Sequence, residues 1–194
     1  MLENKQIEEI KRRVKKFVDN KEIIKGKPEF VKFFLTNSKN SLDTARLLFE
    51  ASTKQELKEQ IGLVDFNGFL WVINSSYYSM FYVVRALLEN EGIKIKTDFS
   101  LHAVVFDLFV YYFYLTEKLE KSFIEDFQDA GIEASETLGK EKAKNLVEDY
   151  FYEKGKRGRF TYEMGEIAMK NKALTSLERA KKFNEEIRKM LELR

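Results

Sequence analysis

The chain contains one histidine, His102, at a position that suits acid–base chemistry. An imidazole titrates near neutral pH and can therefore give or take a proton there. His102 stands at the start of an aromatic segment that is predicted to be helical. A histidine near a helix start also serves as a polar contact or as a residue of the cap region. The sequence therefore predicts a candidate catalytic residue and leaves the structural role open.

A short basic cluster with two glycines is a candidate phosphate-binding segment. Its residues are Lys154, Gly155, Lys156, Arg157, Gly158 and Arg159. Arginine binds phosphate as a fork, and glycine lets phosphate approach the backbone. A solvated loop beside acidic neighbours such as Glu148 is the alternative. Arg85, Lys94 and Lys96 would add to one phosphate-binding cleft if the fold brings these segments together.

Large aromatic and sulfur-containing side chains are concentrated in one predicted helix: Tyr77, Tyr78, Met80, Phe81 and Tyr82. Neighbouring positions of a helix point in different directions, so these side chains cannot all face one way. Most of them are expected in the core or in a dimer interface. The functional alternative is that Tyr78 or Tyr82 stacks on a base, as aromatic side chains do in RNA sites.

The composition excludes several kinds of site. The chain has no cysteine, which rules out disulfides, a thiolate nucleophile and cysteine-based zinc sites, and one histidine cannot build a histidine-based zinc site. Acidic pairs such as Glu125 and Asp126 are typical of a solvated helix face, and no glycine-rich phosphate loop is present. We therefore expect no metal and no cofactor. The formal net charge of +2 indicates that any nucleic-acid site is a local patch.

The elements that must position these residues are predicted to be helices, because the chain has one proline and few glycines. Helical patterns cover 3–24, 29–52, 65–90, 101–115, 117–137, 140–154 and, from a capping box at Thr175–Glu178, the segment to about Leu193. Residues 53–64 are predicted to be a polar connector with a helical turn. Gly92 is expected to end the helix over 65–90, and Gly139 to separate the helices over 117–137 and 140–154. In the helix over 29–52, the face that carries Leu35, Ser38, Leu42, Ala45 and Phe49 is expected to pack inward. The sequence thus predicts an all-α, up-and-down helical bundle over residues 28–194, with an extra N-terminal helical extension over residues 1–27.

The segment from Phe66 to Val84 carries no formal charge and is about long enough to cross a bilayer. It contains asparagines and serines, and Arg85 follows at once, so a central buried helix is the better interpretation. The first residues, Met1 to Lys16, are charged and lack the apolar stretch of a signal peptide. We therefore expect a cytoplasmic protein with no membrane association.

Five segments follow one another in an order that is found in one protein family. They are Leu42–Leu48, Tyr77–Tyr82 with Arg85–Leu88, Gly92–His102, Arg157–Tyr162 and Ala173–Leu191. The second contains a Tyr-Tyr-x-Met-Phe stretch, the third a Gly-Ile pair and a Lys-Thr turn before the histidine, and the fourth an Arg-x-x-x-Thr-Tyr run. In these respects residues 32–193 resemble the HEPN (higher eukaryote and prokaryote nucleotide-binding) domain family.

The resemblance implies a bundle of four or more helices that dimerises through its central helices. Many HEPN proteins are ribonucleases or toxins paired with a small nucleotidyltransferase, and others are non-catalytic nucleotide- or RNA-binding modules. The ribonucleases carry an Arg-x4-6-His motif, whose residues from both subunits meet in one cleft. Here Arg85, the nearest arginine before His102, lies seventeen positions earlier. Ser75 replaces the family's arginine before the tyrosine pair, and Thr161 stands in place of its aspartate.

From this resemblance we expect a HEPN-like nucleotide- or RNA-binding homodimer, the toxin-like half of a toxin–antitoxin system with a nucleotidyltransferase partner. The expected ligand-binding residues are Lys96, Arg157, Arg159, Tyr78 and Tyr162. RNA cleavage, if it occurs, would be metal-independent. His102 would move protons at the 2′-hydroxyl, and Arg85 or Arg157 would stabilise the phosphorane. The alternative is a non-catalytic dimeric protein-interaction module, for which an exposed apolar patch is expected.

Overall fold

Helices dominate the part of the chain that the structure describes. The structure, a computed structural model, describes residues 3–96, 100–151 and 159–192, and within these ranges every side chain except those of 140–151 and 159–166. The helices are α1 (Asn4–Asp19), α2 (Val31–Thr53), α3 (Gln55–Gln60), α4 (Phe69–Asn90), α5 (Leu101–Phe109), a π-helical turn (Val110–Tyr114), α6 (Lys121–Phe151) and α7 (Arg159–Glu192). The strands are β1 (Ile23–Lys25) and β2 (Ile93–Ile95).

Helices α2 and α4 pack against each other and run in opposite directions. At one end, the carboxylate of Glu89 near the end of α4 accepts the backbone N–H of Phe30, the residue before α2, at 3.0 Å. At the other end, the Gly68 N–H before α4 donates to the Ser52 hydroxyl near the end of α2 at 2.8 Å. Each helix end therefore satisfies polar groups at the start of its neighbour.

Helices α6 and α7 complete the bundle. The Ser176 hydroxyl of α7 donates to Glu133 of α6 at 2.9 Å, and Arg179 lies 3.7 Å from Asp126, so these two helices are antiparallel. The amide of Asn184 joins α7 to α4, where it donates to the Ser79 hydroxyl at 3.0 Å. With α2 and α4, they form the all-α, up-and-down bundle that was predicted from the sequence.

The interior position of α4 follows from its composition. Its side chains Val72, Met80, Val83, Val84 and Leu87 are completely buried, and burial of each such side chain stabilises the fold by about 1.5–3 kcal/mol. Small polar residues on the same helix bond within it; the Ser79 hydroxyl, for example, donates to the Ser76 carbonyl at 2.8 Å. Among the described residues, no helix is both long and apolar enough to cross a membrane.

The α1 helix is attached to the bundle at two places. Ile10 and Val14 contribute to the main hydrophobic core, and the Arg13 guanidinium donates to both oxygens of the buried Asp107 carboxylate, at 2.6 and 2.8 Å. This hydrogen bond raises the pKa of Arg13, although burial opposes the change. After α1, strand β1 pairs antiparallel with β2, with Ile24 opposite Lys94.

Several sequence-based boundaries were wrong. The α4 helix begins at Phe69 rather than at Asp65, α6 continues through Gly139, and α7 passes through the supposed capping box at Thr175–Glu178. The short sheet was not predicted from the sequence. The end of α4 at Asn90 and the inward face of α2 through Ser38 and Ala45 are confirmed.

Candidate functional site

His102 lies in the first turn of α5, against three aromatic rings of α4. The centre of its ring is 4.4 Å from that of Phe81 and 5.7 Å from that of Tyr78. Its Nδ1 atom lies 2.8 Å from the Tyr77 hydroxyl. These contacts hold the imidazole on the surface of the bundle while part of the ring stays exposed to solvent. The first-turn position of His102 agrees with its predicted place at a helix start.

The protonation of the Tyr77–His102 pair follows from its surroundings. Burial, with a smaller electrostatic contribution from Tyr78, raises the pKa of Tyr77, so its hydroxyl stays protonated at neutral pH. Burial also lowers the pKa of His102, so its neutral form predominates at neutral pH. In that state the hydrogen bond forms with either tautomer of the imidazole: Tyr77 donates to a bare Nδ1, or its oxygen accepts from Nδ1–H. In both cases the contact uses Nδ1 and orients the ring of the candidate acid–base residue.

A groove of about 390 Å³ lies beside His102, between α5 and α6. Its walls are aromatic and aliphatic side chains with a few polar groups: Tyr77, His102, Phe106, Phe127, Gln128, Gly131, Ile132, Ser135 and Glu136. We call it the α5–α6 groove. A Cβ atom at Gly131 would lie 3.3 Å from the Tyr77 ring. The glycine therefore lets that ring lie close to the α6 backbone.

A second groove, of about 320 Å³, lies on the other side of Tyr78, between α2 and α4. It is lined by two tyrosines and five short polar residues: Tyr78, Tyr82, Asn37, Asn40, Ser41, Thr44 and Ser75. We call it the α2–α4 groove. Tyr78 is 40% exposed and its ring centre lies 6.2 Å from that of Tyr82. The groove thus combines ring faces with amides and hydroxyls that can donate and accept hydrogen bonds.

Arg85 continues the row of Tyr78 and Tyr82 along α4, because residues three and four apart share a helix face. Its guanidinium lies 4.6 Å from the centre of the Phe34 ring, in a cation–π contact. Burial lowers the pKa of Arg85, and the nearby Glu89 and Tyr82 oppose that change. Among the described side chains, no hydrogen bond joins Arg85 to His102. Tyr78 contacts the rings of both His102 and Tyr82, and Tyr82 lies three residues before Arg85 on α4.

Tyr78, Tyr82 and the half-buried Arg85 follow one another along α4, and His102 of α5 lies beside Tyr78; we call these four residues the α4 row. Lys96 is exposed and follows β2, where its backbone N–H donates to the Glu22 carbonyl at 2.8 Å. Arg159 is the first residue of α7, and Tyr162 follows within its first turn. Arg157 lies outside the described residues, so its predicted role stays a prediction, as do those of Arg159 and Tyr162.

Sequence reasoning missed the α2 side of the groove and the partner of His102. Asn37, Asn40 and Thr44 recur at intervals of three and four, which is the signal of one polar helix face. That face was passed over because the apolar face of α2 was used to orient the helix. No sequence pattern pairs Tyr77 with His102, because their contact depends on how α5 packs on α4.

Comparisons with protein-family models, curated proteins and solved structures find no match to this chain.

Proposed function

We propose that this chain binds a nucleotide or a single-stranded RNA segment in the α2–α4 groove. One observation carries the proposal: Tyr78 and Tyr82 border a groove whose other walls are amides and hydroxyls. Nucleobases stack on aromatic rings, and their edges form hydrogen bonds with amide and hydroxyl side chains. Base–aromatic stacking is worth about 1–3 kcal/mol per base. The HEPN-like order of the sequence segments supports the same class of ligand.

The position of His102 supports a further possibility within this proposal. A base stacked on Tyr78 would bring its ribose and phosphate near Nε2 of His102, because the rings of Tyr78 and His102 are in contact. His102 would then act on the 2′-hydroxyl, and Arg85 at the far end of the α4 row would stabilise phosphate charge. The toxin-like role and the nucleotidyltransferase partner rest on the HEPN resemblance alone.

Binding is tested by fluorescence anisotropy with a 5′-labelled 12-nucleotide single-stranded RNA of mixed sequence. We expect Tyr78→Ala to weaken binding about fivefold or more, since it removes one stacking platform. Tyr114→Ala serves as the matched control, because it deletes a partly buried tyrosine of the π-helical turn. Equal affinities of wild type and Tyr78→Ala would overturn this placement of the ligand.

Cleavage is tested with a labelled structured RNA in EDTA, using wild type and His102→Ala. Cleavage by the wild type that is lost in the variant would support a metal-independent ribonuclease. If the wild type does not cleave at enzyme excess, the proposal reduces to binding without catalysis.

Self-association is a second candidate function, favoured by apolar side chains that flank the same groove. Phe33 and Leu47 of α2 are 58% and 62% exposed, and Trp71 of α4 is 56% exposed. Each lies on the same helix face as the groove residues, at intervals of three and four. Large apolar residues exposed on one face are typical of a protein interface.

Sedimentation velocity separates this candidate from the first. A homodimer that uses this face would dissociate in Trp71→Glu, whereas Ile167→Glu, at an equally exposed position of α7, would leave the mass unchanged. A monomeric wild type would reject self-association and leave the binding proposal unaffected.

A further inference from the structure

A cleft between α2 and α7 contains three cationic side chains. It lies on the side of α2 that faces away from the α2–α4 groove. It has a volume of about 380 Å³ and is lined by Leu42, Arg46, Lys181, Asn184, Glu185 and Arg188. We call it the α2–α7 cleft. Arg46 comes from α2, whereas Lys181 and Arg188 come from α7, so the cations gather only because the two helices pack together.

The floor of the cleft is fixed by hydrogen bonds. The Asn184 side chain is buried, donates to the Ser79 hydroxyl and the Ala180 carbonyl, and accepts from the Ser38 hydroxyl at 2.5 Å. These bonds tie α7 to both α2 and α4. The backbone positions that carry Arg46, Lys181 and Arg188 are therefore held on rigid helices, which favours binding without reorganisation.

The arginine side chains of the cleft retain N–H groups that can bind a ligand. Arg188 donates through Nη2 to the Leu35 carbonyl at 3.1 Å, which uses one of the five N–H groups of a guanidinium. Arg46 makes only a loose ion pair with Asp43, at 4.0 Å. Glu185 is the carboxylate in the lining, so positive charge exceeds negative charge there by two.

A further carboxylate, Glu50, lies outside the lining but close enough to Arg46 and Lys181 to interact with them electrostatically. The pKa of Glu50 is lowered chiefly by the hydrogen bond from Lys54, and Arg46 and Lys181 lower it further. A cleft with excess positive charge and two guanidinium forks suits the oxygens of phosphate, whose geometry matches the planar fork.

We propose that the α2–α7 cleft binds phosphate groups of a nucleic-acid backbone. Ser41 lines the α2–α4 groove, whereas the next residue, Leu42, lines the cleft, so the two sites lie on adjacent flanks of one helix. A strand that crosses α2 would place a base in the groove and a nearby phosphate in the cleft. This crossing rests on the proposed RNA binding, whereas the phosphate chemistry of the cleft does not.

The test uses two probes with the full chain: inorganic tripolyphosphate, by isothermal titration calorimetry, and the 12-nucleotide RNA, by anisotropy. Arg46→Ala and Lys181→Ala remove exposed or half-exposed cations and preserve the buried hydrogen bonds. Lys170→Ala is the matched control, because it removes one charge from α7, the helix of Lys181, at an exposed position outside the cleft. Arg46→Lys keeps the charge but loses the fork.

We expect Arg46→Ala to weaken the binding of the RNA about fivefold and to reduce the slope of log K against log salt by about 0.7, the value for one phosphate contact on a single strand. Tyr78→Ala should leave that slope unchanged. Tripolyphosphate binding that falls in Arg46→Ala but not in Tyr78→Ala would support the cleft even if RNA binding fails. If Arg46→Ala weakens the binding of RNA but not that of tripolyphosphate, the phosphate that the cleft recognises belongs to the nucleic-acid backbone. Unchanged binding of both probes in Arg46→Ala and Lys181→Ala would overturn the proposal.

Discussion

The Tyr77 hydroxyl lies 2.8 Å from Nδ1 of His102, and this contact leaves Nε2 as the nitrogen that is available to a ligand. Tyr77 remains protonated at neutral pH because burial raises its pKa, so its hydroxyl can donate to Nδ1 or accept from Nδ1–H. A general acid–base residue works best when its ring is held in a fixed orientation. The contact with Tyr77 provides that orientation, whichever ligand the neighbouring grooves bind.

The first prediction concerns the titration of His102. We expect its pKa to lie below the ordinary value of about 6.5, because burial disfavours the imidazolium. The chain has a single histidine, so an NMR titration of the imidazole Cε1–H signal reports this site alone. In Tyr77→Phe, the ¹⁵N shift of Nδ1 should change more than that of Nε2, because Nδ1 is the nitrogen that loses its partner. A wild-type pKa at or above 6.5 would contradict the burial argument.

The second prediction concerns stability and pH. The pKa of His102 is lower in the folded chain than in the unfolded chain, so between these two values the unfolded state binds more protons. The contribution of His102 to stability is therefore fully present above about pH 6.5 and is lost as the pH falls through the folded pKa. Urea denaturation of wild type and His102→Gln between pH 7.5 and 5 measures it. The unfolding free energies of wild type and His102→Gln should converge as the pH falls. A constant difference between them would refute the linkage.

The third prediction concerns Gly92, at the turn between α4 and β2. Its φ is +71°, and a Cβ atom there would lie 2.3 Å from the Gly26 carbonyl oxygen. Gly62 has the same φ with open space around it, so Gly62→Ala isolates the conformational cost of about 1–2 kcal/mol. We expect Gly92→Ala to lower the free energy of unfolding by clearly more than that control, as measured by urea denaturation. Equal losses of unfolding free energy in Gly92→Ala and Gly62→Ala would mean that the backbone at Gly26 shifts at little cost to make room for the Cβ atom.

The fourth prediction concerns the ion pair between Arg13 and Asp107. Asp107 is 3% exposed, so Arg13→Ala removes the guanidinium from a buried carboxylate. Because the Arg13 side chain is itself 44% exposed, we expect a cost of about 1–2 kcal/mol, below that of a fully buried pair. Arg12→Ala removes the same charge from an exposed neighbouring position of α1 and should cost less than about 0.5 kcal/mol. Thermal unfolding of both variants tests the difference. Similar melting temperatures for the two would show that the pair contributes little.

Much of the bundle was predictable because α2 and α4 carry strong periodic or apolar signals. The end of α4 was predicted from Gly92, which adopts the positive φ that a helix C-terminus often requires. The sheet was not predicted, since Ile23–Lys25 and Ile93–Ile95 are short and pair over about seventy residues of sequence. Local patterns carry no information on such a pairing.

The failed capping box has a physical explanation. The Thr175 hydroxyl donates to the Asn171 carbonyl four residues earlier, at 3.1 Å, and the Ser176 hydroxyl donates to Glu133 of α6. Both hydroxyls therefore bond inside or across helices instead of capping a new one. Gly139 likewise did not end α6, because one glycine costs a helix only about 1 kcal/mol relative to alanine.

Sequence reasoning named the aromatic residues of the α2–α4 groove but not its polar wall. Tyr78 was chosen for its ring, and the structure places it, partly exposed, at the α2–α4 groove. The amides and hydroxyls opposite it were missed because the side chains of Asn37 and Thr44 form a groove only where α2 packs against α4. The contact between Tyr78 and His102 also depends on packing, which a linear spacing rule does not describe.

The two attachments of α1 limit how this protein can be shortened. A chain that starts at Pro28 would lose the guanidinium that neutralises Asp107, the β1 strand that pairs with β2, and the side chains of Ile10 and Val14 from the core. The face uncovered by such a deletion would be apolar around a buried negative charge. Truncated forms would consequently aggregate more readily than the full chain, and biochemical work on the grooves and the cleft should retain the first helix.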